Sequence, residues 1–354
     1  MEELKKMKIK KLLTVGIVLT LGAFMLTGCS VVSDGSSGSQ DASESTGDAT
    51  ESAAENNETA EEGSNASAGG GKIALFMTHM SNEFTITLSS AVKAEVEARG
   101  YEFTVYDAGQ DAATQADQIE QAITLGVDGI IIEPVSVDGV VPSVKAAKEE
   151  GTKVVIVNQR ISEPEAADCY VGADAAVTGA KLMEEVMKDI GSKGNIALLL
   201  GPMGSDGQIG RSEGFDQVLA ENPDVEVVFQ DTAEWQTEPA LTIVENWLNA
   251  GKDIAAIVSQ NDGMAVGAAK AVADAQKTGE IKVYGVDATS EGLQGVLDGN
   301  LQGTISQGTE DQGKYSADAC ADLIEGKTVD AETIVENIYY TKENAQEALD
   351  AIGK

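Results

Sequence analysis

The sequence predicts an α/β protein built as two lobes, each a doubly wound parallel sheet. Three observations carry this. From residue 72 onward, short apolar runs alternate with amphipathic stretches of helical length. Runs such as Ile130-Ile131-Ile132 and Val154-Val155-Ile156-Val157 have no polar face, which suits strands covered on both sides by helices. The βα units are too numerous for one ordinary sheet, and 354 residues agree with about two domains.

The elements follow in order. Residues 72–77 read as a strand and 84–99 as a helix, then 101–106 strand and 114–125 helix. A buried strand at 129–132, a helix at 139–150 and strands at 153–157 and 169–171 lead to a long helix at 176–190. The alternation then restarts: strand 195–200, helix 212–221, strand 225–230, helix 238–250, strand 256–259 and helix 263–277. Strand 282–285, helix 290–298, strand 303–306 and helix 311–325 complete it.

The front end reads as an address. Lys5, Lys6, Lys8, Lys10 and Lys11 precede an uncharged run over 12–26, 15 residues long. That is shorter than the ~20 needed to cross a bilayer and suits the core of a signal peptide. The run ends in Leu26-Thr27-Gly28-Cys29, which resembles a bacterial lipobox; the resemblance implies a lipid on the Cys29 thiol. Residues 30–71 are rich in Ser, Ala, Gly and acids, with nine Asp or Glu and no Lys or Arg. Such a composition cannot bury enough apolar surface to order itself. The expected layout is a signal peptide over 1–28 and a disordered acidic tether over 29–71.

Composition excludes several functions. The net charge of -35 leaves nothing basic for nucleic acid phosphates. Three cysteines without a CxxC pair exclude a disulfide scaffold and a zinc ribbon. Cys169 and Cys320 read as buried free thiols, with a bridge between them left open. No metal-ligand cluster and no nucleophile–base pair is visible, so neither cofactor nor catalysis is expected, and the lone His79 reads as a packing or loop residue.

In open α/β sheets, ligands sit beyond the carboxyl ends of the strands, so those positions locate the site. The turn after 72–77 holds Asn82 and Phe84 but no glycine-rich dinucleotide motif. Later strand ends offer Asn158, Gln159 and Arg160, then a glycine-punctuated loop from Gly201 to Arg211, which reads as a flexible connection. Trp235, Asn261, Asp287 and Gln307 follow further strands. Amides, guanidinium groups and a carboxylate can pair neighbouring hydroxyls, while Phe84 and Trp235 can pack on the apolar faces of a sugar-like ring.

At these residues, together with Glu213-Gly214-Phe215, Gln260-Asn261-Asp262, Gly285-Val286-Asp287 and Ile305-Ser306-Gln307, the chain resembles the type I periplasmic sugar-binding proteins of the ribose- and inositol-binding branch. The resemblance implies an ABC-importer component, exported and lipid-anchored on the outer face of the cytoplasmic membrane, or periplasmic where an outer membrane exists. It implies a monomer that passes a sugar or polyol to a membrane permease. A sensory protein presenting a sugar to a receptor is the alternative. It further implies a ligand set of Asn82, Phe84, Gln159, Arg160, Arg211, Trp235, Asn261, Asp287 and Gln307. The N-terminal lobe would comprise 72–173 plus 308–336, and the C-terminal lobe 174–307 plus 337–354. A hinge of three crossovers would lie near Asp174, Gln307 and Glu336. Thr85, Gln159 and Val286 replace two aromatics and an acid of the ribose pattern. With Thr232-Ala233-Glu234-Trp235 and Glu245-Asn246-Trp247-Leu248, these changes favour a cyclic polyol such as myo-inositol, or a hexose, over a pentose.

Overall fold

The computed structural model describes residues 70–352. The expected signal peptide and the Cys29 lipidation site lie outside them, as does almost all of the acidic tether. Two six-stranded sheets form the body. The first contains β1 (Lys72–Met77), β2 (Glu102–Asp107), β3 (Gly129–Ile132), β4 (Lys153–Val157), β5 (Cys169–Gly172) and β11 (Glu332–Ile334), in the order β11-β5-β4-β3-β1-β2. The second contains β6 (Gly194–Leu200), β7 (Val225–Thr232), β8 (Ala256–Ser259), β9 (Lys282–Asp287), β10 (Gly303–Ser306) and β12 (Ile338–Tyr340), in the order β12-β10-β9-β8-β6-β7.

All pairs are parallel except β12 against β10, an antiparallel edge. The central strands β3, β5 and β8 are buried at every position, because helices cover both faces. The outer strands β2 and β7 are largely exposed. Each sheet has a separate apolar core on each side, among them a cluster of Leu75, Leu88, Val155 and Cys320 and another of Leu182, Leu198, Phe215 and Tyr284.

Helices α1 (Glu83–Ala98), α2 (Ala112–Thr124) and α3 (Val141–Glu149) flank the first sheet. Helices α4 (Ala175–Ile190), α5 (Asp206–Ala220), α6 (Thr237–Asn249), α7 (Asp262–Asp274) and α8 (Ser290–Asp298) flank the second. The chain passes to the second sheet between β5 and α4. It returns after β10, because α9 (Thr309–Ile324) packs on α1 and β4. It crosses again between β11 and β12, and ends in α10 (Ala345–Ala351) beside α8.

The sequence reading missed β11, β12 and α10, which are three to seven residues long and carry too few positions to show a period. It also started α5 too late. Ser205 caps that helix by accepting from the Gln208 N–H at 3.4 Å, so Arg211 is helical, not the end of a loop. Gly207, Gly210 and Gly214 disguise the helix, since glycine disfavours helix interiors.

Cys169 and Cys320 are free and buried. Burial pushes the Cys169 thiol up to about 12 and raises that of Cys320 still further. Neither thiol in the folded body should therefore react with an aromatic disulfide reagent at neutral pH, and both should react in denaturant. Labelling of the folded body would contradict this placement.

Candidate functional site

Loops at the carboxyl ends of both sheets meet around a narrow cavity of about 40 Å³, below the ~300–1,000 Å³ of typical small-molecule sites. The first lobe contributes Thr78, His79, Asn82, Phe84, Thr85, Glu133, Asn158 and Gln159. The second contributes Arg211, Trp235, Asn261 and Asp287, while Gln307 lies at a crossover. An outer vestibule shares Thr78, His79, Gln159 and Trp235 with the cavity and extends to Gln110, Met203 and Glu234.

Several of these side chains have one end committed to the fold. Asn82 caps α1, its Oδ1 accepting from the Thr85 N–H at 3.0 Å, which leaves its amide hydrogens for a guest. Asn261 caps α7 through the Met264 N–H at 2.9 Å and donates to the Trp235 carbonyl at 3.2 Å. Gln307 donates to the Asp287 Oδ1 at 2.7 Å. Glu133, only 1% exposed, accepts from the Thr78 N–H at 3.2 Å and the Thr78 hydroxyl at 2.8 Å. Its other oxygen accepts from the Asn158 amide at 2.7 Å.

Arg211 and Gln159 have atoms left over. Arg211 is 5% exposed, donates from one terminal nitrogen to the Gln260 carbonyl at 2.6 Å, and sits 5.4 Å from the Trp235 ring centroid. Its Nε has no partner. Gln159 is 6% exposed, and its Oε1 has none either. Buried polar atoms without partners are costly and rare; Gln118 Oε1 and Gln312 Oε1, outside the cavity, share this state.

Burial lowers the pKa of Arg211, opposed first by the negative charge of Asp287. Burial raises that of Asp287, and Arg211 opposes the rise. Asp262, behind the cavity, is also raised by burial and by Asp287; it accepts from the Thr304 hydroxyl at 2.7 Å and the Thr289 N–H at 2.9 Å. His79 is lowered by burial, and its Nδ1 accepts from the Ser81 N–H at 3.3 Å.

The backbone is strained around the opening. Gln110, Asn158, Glu234, Trp235, Asp287 and Ala288 all have positive φ, with 61° at Asn158 and 62° at Trp235. Such conformations cost roughly 1–3 kcal/mol each and persist where the surroundings enforce them. The Gly201 loop is one such enforcer. A Cβ on Gly201 would lie 2.1 Å from the Trp235 ring, so this glycine seats the indole and is more than a connection.

Of the residues expected from sequence, Arg160 is the one not brought to the cavity. Its guanidinium lies 4.2 Å over the Tyr170 ring, pairs with Glu332, and lines a separate hollow with Ile161 and Ala331. The left-handed turn at Asn158 ends β4 so that Asn158 and Gln159 take the cleft positions, and the arginine passes to the far side. His79, Glu133 and Asn158 were not singled out as ligands. Glu133 directly follows β3, so the strand-end rule applied there would have found it.

Fold and site define a two-lobed binding protein that holds a small molecule between parallel α/β lobes of the periplasmic type I fold. A family model described as a periplasmic binding protein domain matches residues 73–328, and the chain belongs to that family. The xylitol-binding protein of Mycolicibacterium smegmatis is 36% identical over 258 residues, covering 72% of this chain and 73% of that protein. The ribose import binding protein of Bacillus subtilis is 27% identical, over 89% of this chain and 94% of that one. An ABC transporter solute-binding protein from Bacillus halodurans, solved with bound myo-inositol, superposes with a TM-score of 0.76. It is 32% identical, and the match covers 79% of this chain and 98% of that one.

Proposed function

We propose that this chain is the substrate-binding lipoprotein of an ABC importer, and that it captures a monosaccharide or cyclic polyol between its lobes and delivers it unchanged to a permease. The observation that carries the ligand class is the pair of orphaned atoms. Gln159 Oε1 in the first lobe is an acceptor, and Arg211 Nε in the second is a donor, both buried and both in residues that line one cavity. A hydroxyl donates one hydrogen and accepts others, so neighbouring hydroxyls on one small ring can satisfy both. Phe84 and Trp235 would pack on the ring's C–H surface. Titration calorimetry against a panel of pentoses, hexoses and inositols should show micromolar or tighter binding of at least one; flat traces throughout would remove the solute class. Lipidation is tested by fatty-acid labelling in the native host, which should be lost in Cys29→Ser.

Closure would be favoured by the ligand, because only the closed arrangement makes both sets of contacts. Two contacts between the lobes already favour it. The Glu83 carboxylate at the start of α1 accepts from the Ser290 N–H at the start of α8, at 2.7 Å. Gln110 donates to the Glu234 carbonyl at 3.3 Å. A carboxylate against a helix N-terminus stabilises by about 1 kcal/mol. Glu83→Ala should therefore weaken ligand binding roughly fivefold and raise the unliganded radius of gyration in solution scattering. Unchanged values for both would show that this contact does not hold the lobes together.

A further inference from the structure

A buried carboxylate behind the cavity ties its wall to a contact between the lobes. Asp262 begins α7, is fully buried and lies outside the cavity lining. Its Oδ1 accepts from the Thr304 hydroxyl at 2.7 Å, and its Oδ2 from the Thr289 N–H at 2.9 Å and the Thr289 hydroxyl at 3.1 Å. Both hydroxyls are anchored in turn. Thr304 Oγ1 accepts from the Ala288 N–H at 3.1 Å, and Thr289 Oγ1 caps α8 by accepting from the Gly292 N–H at 3.0 Å. Every donor that Asp262 satisfies thus belongs to the turn 287–289 or leads directly to it. That turn is strained, with φ of 122° at Asp287 and 54° at Ala288, so its surroundings must enforce it. Glycines make room for the enforcer: a Cβ on Gly285 would lie 2.1 Å from Oδ1, and one on Gly292 2.0 Å from Oδ2. Burying a carboxylate is costly, and a core position that only had to be filled would take an apolar residue at lower cost.

The turn has two outlets. Asp287 at its start lines the cavity, its Oδ1 accepting from Gln307 at 2.7 Å. Just past its end, the Ser290 N–H donates to the Glu83 carboxylate of the first lobe at 2.7 Å. We propose that Asp262 is a positioning residue that locks residues 287–290 into one rigid piece, so that solute contact at Asp287 and the Glu83 contact between the lobes are made or lost together. The link to solute rests on the binding function proposed above; the hold on the Glu83 contact does not.

The test combines calorimetry with the best solute of the panel and solution scattering of the unliganded protein, on Asp262→Ala, Glu83→Ala and the double variant. Asp262→Ala leaves the buried Thr289 N–H unpaired and should weaken binding about tenfold or more. It should also raise the unliganded radius of gyration, as Glu83→Ala does. On top of Asp262→Ala, Glu83→Ala should cost less than about twofold instead of about fivefold, and should not raise the radius further, because contacts within one network are not additive. Thr304→Val removes a single hydroxyl from the relay and should show the same pattern with a loss of about threefold. It takes the place of Asp262→Ala should that variant give no cooperative melt. A Glu83→Ala cost that stays at about fivefold in the folded variant would overturn the proposal, since a residue that merely supports the fold leaves the two effects additive. An unliganded radius unchanged in that variant would do the same. If no solute of the panel binds, the solute reading fails, and the radii of the single and double variants still decide the role of Asp262.

Discussion

Replacing Arg211 by alanine should weaken solute binding at least 100-fold, and replacement by lysine should restore less than a tenth of that loss. The guanidinium is fixed on three sides: the Gln260 carbonyl takes one terminal nitrogen, Trp235 lies against its face, and α5 holds its stem. Its Nε is buried without a partner, in a residue that lines the cavity. Buried, charged donors of this kind contribute about 2–5 kcal/mol when the partner is desolvated with them, and each 1.4 kcal/mol is tenfold in affinity. Lysine keeps the charge but loses the planar fork, so it cannot reach the Gln260 carbonyl and the guest together. Calorimetry with the best ligand of the panel reads the effect. A melting temperature for Arg211→Lys within a few degrees of the parent separates lost recognition from lost folding. Binding that survives Arg211→Ala within tenfold would place the solute elsewhere.

The largest expected effect on stability comes from one methyl group on α5. Alanine is normally the better helix residue by about 0.5–1 kcal/mol, so propensity alone makes Gly214→Ala stabilising. Packing reverses the sign. A Cβ on Gly214 would lie 2.2 Å from the Ala176 carbonyl oxygen and 2.4 Å from the Ala180 nitrogen, both backbone atoms of α4. Backbone cannot rotate away as a side chain can, so the two helices must separate. Gly179 on α4 faces the same crossing, its Cβ position 2.4 Å from the Arg211 carbonyl oxygen. Overpacking of this kind costs about 1–3 kcal/mol, occasionally more. Gly214→Ala should lose about 2–3 kcal/mol and roughly 5–10 °C in melting temperature. It should also weaken binding, because α5 carries Arg211. The comparison within the same helix is Gly207→Ala, whose Cβ would meet nothing nearer than 3.5 Å. That substitution should hold or raise the melting temperature. If the two glycines respond alike, the close crossing of α4 and α5 is wrong.

These two predictions share a cause. Glu213-Gly214-Phe215 first stood out as a mark of family resemblance, and the structure supplies the reason for its middle residue. Phe215 fills the core under the second sheet, fully buried in one cluster with Leu182 and Met183 of α4, while Gly214 lets α4 approach closely. The pair fixes the position of the helix, and the helix delivers the guanidinium to the cleft.

Much of the site was legible because it lies where the topology of parallel sheets forces ligands to lie. Trp235, Asn261 and Gln307 follow, and Asp287 ends, a strand that the apolar pattern marks. Arg160 lies where hydrophobic periodicity stops being informative. Residues 158–160 all follow β4, and periodicity cannot say which of three consecutive side chains enters the cleft. A φ of 61° at Asn158 decides it, and that angle is held by contacts from elsewhere: the Asn158 amide on Glu133 and the Tyr170 hydroxyl on the Asn158 carbonyl at 2.9 Å.

The amino-acid order by itself determined the alternation of strands and helices, the division into two α/β lobes and most of the strand-end residues. Those features depend on hydrophobic period and chain connectivity, which are local. Only the tertiary structure decided the turn that excludes Arg160, the burial of Glu133 among Thr78 and Asn158, the orphaned atoms of Gln159 and Arg211, and the glycine crossing of α4 with α5. Each of these joins residues distant in the chain, 55 positions apart for Thr78 and Glu133, and so arises from packing that no sequence window contains.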